Sequence, residues 1–189
     1  MDASRNGVLA ELTISSEYSR RMWDKPDNTT SKIKRGSEFI QYLSSLSRNH
    51  GHKNQIIGKL ARALSVHVET DLQRLIDSYQ SRLVELGVEL TNYQSSMPVQ
   101  PPEGTPSFGK KRGIHAAHCS PMSYQFFTAF SLYDKGSRIL EQLRQLGSFT
   151  YEEHKKRQFA LAKEVRSCIE QNSSSIASFH RKRKELESQ

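Results

Sequence analysis

The sequence predicts a mainly α-helical bundle that carries a short two-stranded β ribbon. Over most of the 189 residues, apolar side chains recur every three or four positions, which is the spacing of a helix with one buried face. Two short stretches instead alternate apolar and polar residues with a period of two, as half-buried strands do. A chain of this length can bury a core without metal ions or disulfides. We therefore expect one domain over residues 1–172 and a basic C-terminal tail over residues 173–189.

The first strand is predicted at residues 7–15, which read GVLAELTIS. Every second side chain in this segment is aliphatic, so one face should pack on the core while the other points outward. The polar side chains of the outer face are Glu11, Thr13 and Ser15. A weaker alternation over residues 114–119 predicts a second strand, which could pair with the first.

Four substantial helices are predicted to follow the first strand, and their expected ranges are 31–48, 54–91, 121–146 and 151–171. The second is the longest, and its apolar stripe fits either the core of a bundle or the seam of a coiled-coil dimer. At about 1.5 Å per residue it spans roughly 50 Å, which is more than one small core usually covers. We therefore expect a homodimer.

Capping residues predict where the last two helices begin and where the third one ends. Ser120 and Pro121 combine a capping hydroxyl with a proline at the first helical position. Thr150 and Glu153 have the spacing of a capping box. Gly147 lies between these signals, and a glycine commonly ends a helix because it adopts the left-handed conformation without strain.

Two segments are predicted to lack stable regular structure. Residues 92–112 concentrate Pro, Gly, Ser and Thr, which predicts a long loop with the basic residues KKR at its far end. Residues 173–189 contain a basic run with few apolar anchors. A frayed helix or a mobile arm is expected there.

The charge composition favours an anionic partner. The 28 Lys and Arg residues outnumber the 20 Asp and Glu residues, which gives a formal net charge of +8. Such a surplus favours nucleic acid, although membrane-surface proteins and many other basic domains share it. The two cysteines imply no disulfide framework. With no leader pattern and no run of about 18 apolar residues, we expect a cytoplasmic protein without a membrane partner.

The common signatures of catalysis are missing from the sequence, which has no Gly-rich phosphate loop, no nucleophile elbow and no HExxH pattern. We therefore expect no enzymatic activity and no cofactor. The segment HAAHC could offer zinc the ligands His115, His118 and Cys119, with a fourth from Cys168, His154 or His180. Structural zinc sites normally show two clearly spaced ligand pairs, so no metal site is predicted.

Three basic clusters are candidates for contacts with DNA phosphates. They comprise Lys32, Lys34 and Arg35; Lys110, Lys111 and Arg112; and Arg181, Lys182, Arg183 and Lys184. Each could equally be a solvated surface that keeps the protein soluble. The second cluster is the most suggestive, because Gly109 and Gly113 leave its backbone free to follow a phosphate ridge.

The polar face of the first strand is the candidate for reading DNA sequence. A two-stranded ribbon fits the major groove, where Glu11 could accept a hydrogen bond from a cytosine amino group and Thr13 could bond to several bases. An ordinary sheet edge with a solvated outer face fits the same pattern equally well.

The segments LAELTISSEYSRRMW and CSPMSYQFFTAFSLYDKGSRILEQLRQLG, together with the long helical middle, resemble the AcaB-type transcriptional regulators of conjugative plasmids and integrative conjugative elements. The resemblance spans residues 7–170 and implies a ribbon-helix-helix-like DNA-binding element. It also implies a cytoplasmic, nucleoid-associated activator of conjugative transfer genes that binds promoter DNA as a homodimer. Arg20 and Arg21 of the first segment, with Ser15, join the candidate DNA-binding residues.

Two other functions stay open. A helical protein-interaction or assembly factor of the conjugation machinery would use the long apolar stripe and meet an acidic partner through its basic charge. A sequence-independent binder of RNA or single strands is less well supported. In such a protein, the bases of the bound strand would stack on aromatic residues of a sheet face. The aromatic residues here cluster on one helix that should be buried.

Overall fold

Three long helices and a two-stranded antiparallel sheet form the frame of the protein, in a computed structural model that describes residues 8–24, 35–97 and 110–188. The elements in chain order are β1 Val8–Ile14, α1 Glu17–Trp23, α2 Gly36–Arg48, α3 Gln55–Ser95, β2 Lys110–His115, a 3-10 turn Ala116–His118, α4 Pro121–Gln145 and α5 Tyr151–Glu187. The prediction of a mainly helical fold with a small ribbon is confirmed.

The core forms where α3, α4 and α5 pack along one another. Tyr79 of α3 lies beside Tyr133 of α4, with their ring centroids 6.0 Å apart. Further along both helices, the Tyr93 hydroxyl donates to the carbonyl of Leu146 at 3.1 Å. Helices α3 and α4 therefore run in the same direction. Helix α5 runs back against both, and the Tyr79 hydroxyl donates to the carbonyl of Leu161 at 2.8 Å.

The middle of the apolar stripe on α3 faces the core of the same chain. Val68, Leu72 and Tyr79 are buried there, whereas Ile56 and Leu60 near the start of the helix are exposed. The bundle core thus accounts for the central part of the stripe, which was one of its two predicted roles. Within residues 8–24, 35–97 and 110–188, no helix combines the length and the apolar character needed to span a membrane.

Helices α1 and α2 close one side of α4 through an aromatic cluster. The indole of Trp23, at the end of α1, lies 4.8 Å from the ring of Phe130 and also stacks near Phe126. Helix α2 begins at Gly36, where a Cβ atom would lie 2.9 Å from Trp23 Cε3. Glycine permits this close approach of helix and indole. The earlier start predicted for this helix, at residue 31, lies outside the described residues.

The ribbon is attached to α4 by its buried face and by one carboxylate. Leu12 and Ile14 of β1 are buried in the core. Directly after the strand, the backbone N–H groups of Ser15 and Ser16 donate to the carboxylate of Asp134 at 3.1 to 3.2 Å. Asp134 is only 3% exposed. Because these bonds to a charged acceptor form away from water, they are strong ones.

The predicted helix caps are confirmed. Ser120 Oγ accepts from the backbone N–H of Ser123 at 3.1 Å. Thr150 and Glu153 make both hydrogen bonds of the capping box at the start of α5. Gly147, just past the end of α4, has a φ of 82°, which is the left-handed conformation expected of a glycine there.

The predicted loop over residues 92–112 is wrong at both ends. Helix α3 continues to Ser95, and β2 begins at Lys110, so the KKR residues belong to a strand. Residues 98–109 lie outside the described part of the chain. The second strand also lies earlier than predicted, since β2 ends at His115 and a turn follows. Its expected pairing with β1 is confirmed, but the position was predicted too late, because the ladder is set by β1, which is distant in sequence, and not by local alternation.

The prediction of a frayed or mobile tail over residues 173–189 is wrong for its described part. Helix α5 runs without a break to Glu187. Ile176 is fully buried and Phe179 is 7% exposed, while Asn172 Nδ2 donates to the carbonyl of Cys168 at 3.1 Å. Burial of the apolar side chains outweighs the weak helix propensity of the QNSSS segment.

Removing the Asp134 carboxylate should loosen the ribbon. Asp134→Ala leaves the backbone N–H groups of Ser15 and Ser16 without this acceptor, and we expect the free energy of unfolding to fall by about 3 kcal/mol. Urea unfolding followed by the fluorescence of Trp23, the one tryptophan of the chain, measures the loss. Asp134→Asn keeps an acceptor oxygen and should lose less. Equal stability of the wild type and Asp134→Ala would contradict the anchoring role.

Candidate nucleic-acid interface

The outer face of the ribbon is where the structure places the predicted reading residues. Strands β1 and β2 are antiparallel, with Thr13 opposite Lys111 and Glu11 opposite Gly113. The side chains of Glu11, Thr13 and Lys111 are exposed, while Leu12 and Ile14 of β1 are buried in the core. One face of the strand therefore holds the ribbon in place and the other is open to a ligand.

Ser15 and Lys110 lie at the end of the ribbon that adjoins α1. Ser15 follows the last residue of β1, is half-buried, and donates its backbone N–H to Asp134. It therefore belongs to the anchor of the ribbon, and the expected polar outer face is confirmed for Glu11 and Thr13 but not for Ser15. Lys110 is the first residue of β2 and pairs with Ile14.

Lys111 and Arg112 each have a carboxylate partner. The ammonium of Lys111 lies 3.1 Å from a carboxylate oxygen of Glu11. The guanidinium of Arg112 donates through Nε to Asp24 at 3.0 Å and through Nη2 to the second oxygen of the same carboxylate. These hydrogen bonds raise the pKa of Arg112 and tie β2 to the end of α1. A phosphate would have to displace Asp24, so Arg112 mainly positions the ribbon.

The candidate arginines of α1 and α2 are also bonded within the chain. Arg20 and Arg21 both contact the carboxylate of Glu17, Arg21 through Nε at 3.0 Å. Arg35, just before α2, donates from Nη1 to the carbonyl of Arg21 at 2.9 Å. Arg35 thus links α1 to α2. Lys32 and Lys34, the other members of the first cluster, lie outside the described residues.

The third cluster lies on the last turns of α5, beside the end of α2 and not on the ribbon. Arg183 Nη1 donates to Asn49 Oδ1 at 3.2 Å, and the His180 ring nitrogen Nε2 lies 3.1 Å from Ser45 Oγ. The remaining basic side chains of the cluster, Arg181, Lys182 and Lys184, are exposed. The structure therefore joins the second cluster to the predicted strand but keeps the third cluster at a different place.

A second basic segment, which was not predicted, lies next to the third cluster. Residues 48–62 connect α2 to α3 and form the first turns of α3. Their basic residues are Arg48, Lys53, Lys59 and Arg62. A signal was present, since residues 39–68 contain no Asp or Glu at all. The sequence alone could not show which surface this segment belongs to, because it contacts the end of α5, which is distant in the sequence.

Among the residues that the structure describes, no group of three or more His, Cys, Asp or Glu could hold a metal ion. Cys119 Sγ lies 3.1 Å from the hydroxyl of Tyr124. Cys168 lies on α5, where burial raises the pKa of its thiol to about 12. The three residues considered as fourth ligands are spread along the whole of α5.

The two thiols should react at very different rates. Burial and the raised pKa keep Cys168 in its unreactive thiol form near pH 8, so an aromatic disulfide reagent should modify Cys119 alone in the native protein. Denaturant should expose both thiols. Cys119→Ser should abolish the native reaction, while Cys168→Ser should leave it unchanged. Rapid reaction of both thiols in the native protein would show that α5 is not packed as described.

Comparison of the chain with protein-family models, with curated proteins and with solved structures gives no match. Its resemblance to AcaB-type regulators therefore stays a prediction.

Proposed function

We propose that the protein is a sequence-specific, non-enzymatic regulator of transcription that inserts its ribbon into the major groove of DNA and needs no cofactor. The observation that carries this proposal is the exposed polar face of the ribbon, on which Glu11, Thr13 and Lys111 lie side by side. A two-stranded ribbon fits the major groove, and side chains on its outer face then reach base edges.

The outer face offers hydrogen-bond donors next to an acceptor. Lys111 Nζ is 3.1 Å from Glu11 Oε2, and Thr13 lies opposite Lys111 on β1. In the major groove, a G·C pair presents the acceptors of guanine beside the amino donor of cytosine. Lys111 can donate to the guanine while Glu11 accepts from the cytosine. Because the ion pair is exposed, it contributes at most about 1 kcal/mol, and opening it costs little.

The ribbon is held firmly enough to position these side chains. Its inner face is buried, the turn after β1 is bonded to Asp134, and Arg112 of β2 is bonded to Asp24. Side chains on a fixed element lose less conformational freedom when they bind, and they are held closer to a productive geometry. This rigidity favours base reading over a mere solvated strand face.

The resemblance to AcaB-type regulators supports a finer version of the proposal. In that version, the protein acts in the bacterial cytoplasm as a homodimer on promoter DNA and activates conjugative transfer genes. Strand β1 is followed by helices, as in a ribbon-helix-helix-like element, but its partner β2 belongs to the same chain. Each subunit would carry a complete ribbon, and two-fold symmetry would place two half-sites on the DNA.

Thr13→Val should weaken sequence discrimination without removing DNA binding. Valine keeps the shape and the strand preference of threonine but lacks the hydroxyl. We expect the affinity for the preferred sequence to fall by about 1 to 3 kcal/mol, with the affinity for random duplex unchanged. Selection by the wild type from a randomised duplex library supplies the preferred sequence, and fluorescence anisotropy measures both affinities.

Thr13→Ser keeps the hydroxyl and is the matched control for this variant. Equal weakening on both duplexes would rule out base reading by Thr13. If the wild type enriches no sequence in the selection, the proposed function itself fails.

A protein-interaction or assembly factor of the conjugation machinery is the second candidate function. Helix α3 exposes apolar side chains one turn apart on its outer side, with Val84 69% and Val88 55% exposed. Apolar anchors at this spacing are typical of a helix that docks against a partner. Failure of the DNA selection, together with self-association that Val84→Ser and Val88→Ser abolish, would favour this second function.

A further inference from the structure

We propose that the protein has a second DNA-binding surface, at the end of the bundle where α5 ends and α3 begins, which binds the phosphate backbone of double-stranded DNA. This surface, here called the basic end, combines residues 48–62 with residues 180–188. Its basic side chains are Arg48, Lys53, Lys59, Arg62, Arg181, Lys182, Arg183 and Lys184. The choice of duplex DNA as the partner rests on the proposed function.

Two polar contacts hold the two segments of the basic end together, and a third joins α5 to the last turns of α2 beside them. Arg183 Nη1 donates to Asn49 Oδ1 at 3.2 Å, and His52 Nε2 lies 3.0 Å from Glu187 Oε1. One turn earlier on α5, His180 contacts the hydroxyl of Ser45. Beneath these contacts Phe179 is buried in the core. The basic residues of both segments are therefore fixed on one surface, although they are far apart in the sequence.

The basic end holds most of the charge surplus of the protein. Its two segments are fully described and contain eight Lys and Arg residues but only two acidic ones, Glu185 and Glu187. The whole chain has a formal net charge of +8. Since so much of this surplus lies in two adjoining segments, the positive potential is concentrated at one end of the molecule.

Most cations of the basic end are free of carboxylate partners, unlike Lys111 and Arg112 of the ribbon. Lys182 is paired with Glu185, and Arg183 with Glu187. The other six have no carboxylate partner among the described residues, and all six are exposed: Arg48, Lys53, Lys59, Arg62, Arg181 and Lys184. A phosphate can approach them without displacing an acidic side chain, so this surface suits backbone contacts better than the ribbon does.

The direction of α3 adds to the positive potential. This helix of 41 residues begins at the basic end, and its first turn contains no acidic residue. Asn54 caps it, with Oδ1 accepting from the backbone N–H of Ile56 at 3.0 Å. No acidic side chain of the first turn offsets the positive end of this helix dipole, which partly cancels the negative ends that α2 and α5 place at the same surface.

Duplex DNA fits this surface better than a membrane does. DNA carries about one charge per 1.7 Å of its axis, and dispersed cations bind it by releasing counterions, without a shaped pocket. A membrane-surface helix would instead show Trp, Phe or Leu along a broad apolar face beside its cations. At the basic end Leu46 and Phe179 are buried, and the exposed apolar side chains are Ile56 and Leu60.

The test uses the full chain with Lys53→Gln, Lys59→Gln and Lys184→Gln combined, since all three lysines are exposed. Fluorescence anisotropy measures the affinity for a labelled random duplex at increasing KCl concentrations. Each lost phosphate contact lowers the slope of log affinity against log salt by about 0.9, so we expect a decrease of about 2 to 3. The affinity at low salt should fall about tenfold or more. The preference for the selected sequence over random DNA should be retained.

The matched control combines Lys155→Gln, Lys156→Gln and Lys163→Gln, which removes the same charge from exposed positions in the first half of α5. Its slope should stay close to that of the wild type. An equal decrease in both triple variants, or an unchanged slope in the first, would overturn the proposal. The proposal would also be overturned if the wild type bound phosphatidylserine vesicles or polyglutamate as tightly as duplex DNA at the same salt concentration.

If the triple variant is unstable, Lys53→Gln alone can be used, since Lys53 lies in the connection before α3. This single variant should lower the slope of log affinity against log salt by about one unit.

These outcomes separate the basic end from the ribbon. A decrease in the slope of log affinity against log salt, with retained sequence preference, would show that only the contacts of the basic end are lost. Loss of sequence preference in Thr13→Val with an unchanged salt slope concerns the ribbon alone. If the wild type selects no sequence but binds random duplex with a salt dependence that needs the three lysines, the proposed function fails. The proposal that the basic end binds DNA is then still supported.

Discussion

The buried carboxylate of Asp134 is the interaction on which the arrangement of the surface depends. It lies within α4 and accepts hydrogen bonds from the backbone N–H groups of Ser15 and Ser16, where the chain leaves β1 and enters α1. The same turn starts α1, because Ser16 Oγ accepts from the N–H of Ser19 at 2.9 Å. A two-stranded ribbon is at best marginally stable in water without such support. Attachment to α4 thus makes a ribbon possible, and it also sets the direction of the helix that follows.

The direction of α1 then determines which charges remain available on the ribbon. Helix α1 carries Trp23 into the aromatic cluster of α4 and brings Asp24 within reach of Arg112 on β2. Besides their ladder of hydrogen bonds, the two strands are therefore linked through Asp24, which directly follows α1 and binds Arg112 of β2. In these contacts Asp24 neutralises the charge of Arg112. On the outer face, Glu11 offsets the charge of Lys111. On the ribbon, the charges of Lys111 and Arg112 are thus each offset by a carboxylate.

The sequence predicted those parts of the structure that are set by local spacing, and it failed where distant segments meet. Alternation identified β1, and capping residues located the starts of α4 and α5, because both signals act within a few residues. The second strand was predicted a few residues too late, because its extent is set by hydrogen bonds with β1. The last turns of α5 were taken for a tail because Ile176 and Phe179 are anchors only when α2 and the core are present. Of the basic end, only the cluster at residues 181–184 was identified from the sequence, and its junction with residues 48–62 was missed for the same reason.

The separation of charge from hydrogen-bonding groups has a consequence for the proposed function. Binding to phosphates is the same on every DNA sequence, so it raises affinity without improving discrimination. Because Lys111 and Arg112 are paired with carboxylates, they would add little to this common term, and a gain from matching bases at Glu11, Thr13 and Lys111 would appear mainly as specificity. In this proposal, the unpaired cations at the basic end would supply the attraction to phosphates from another part of the same bundle. The pairing of Lys111 and Arg112 with carboxylates, which looks unfavourable for DNA binding when the ribbon is considered alone, would thus be compatible with a reading surface if phosphate binding is provided elsewhere.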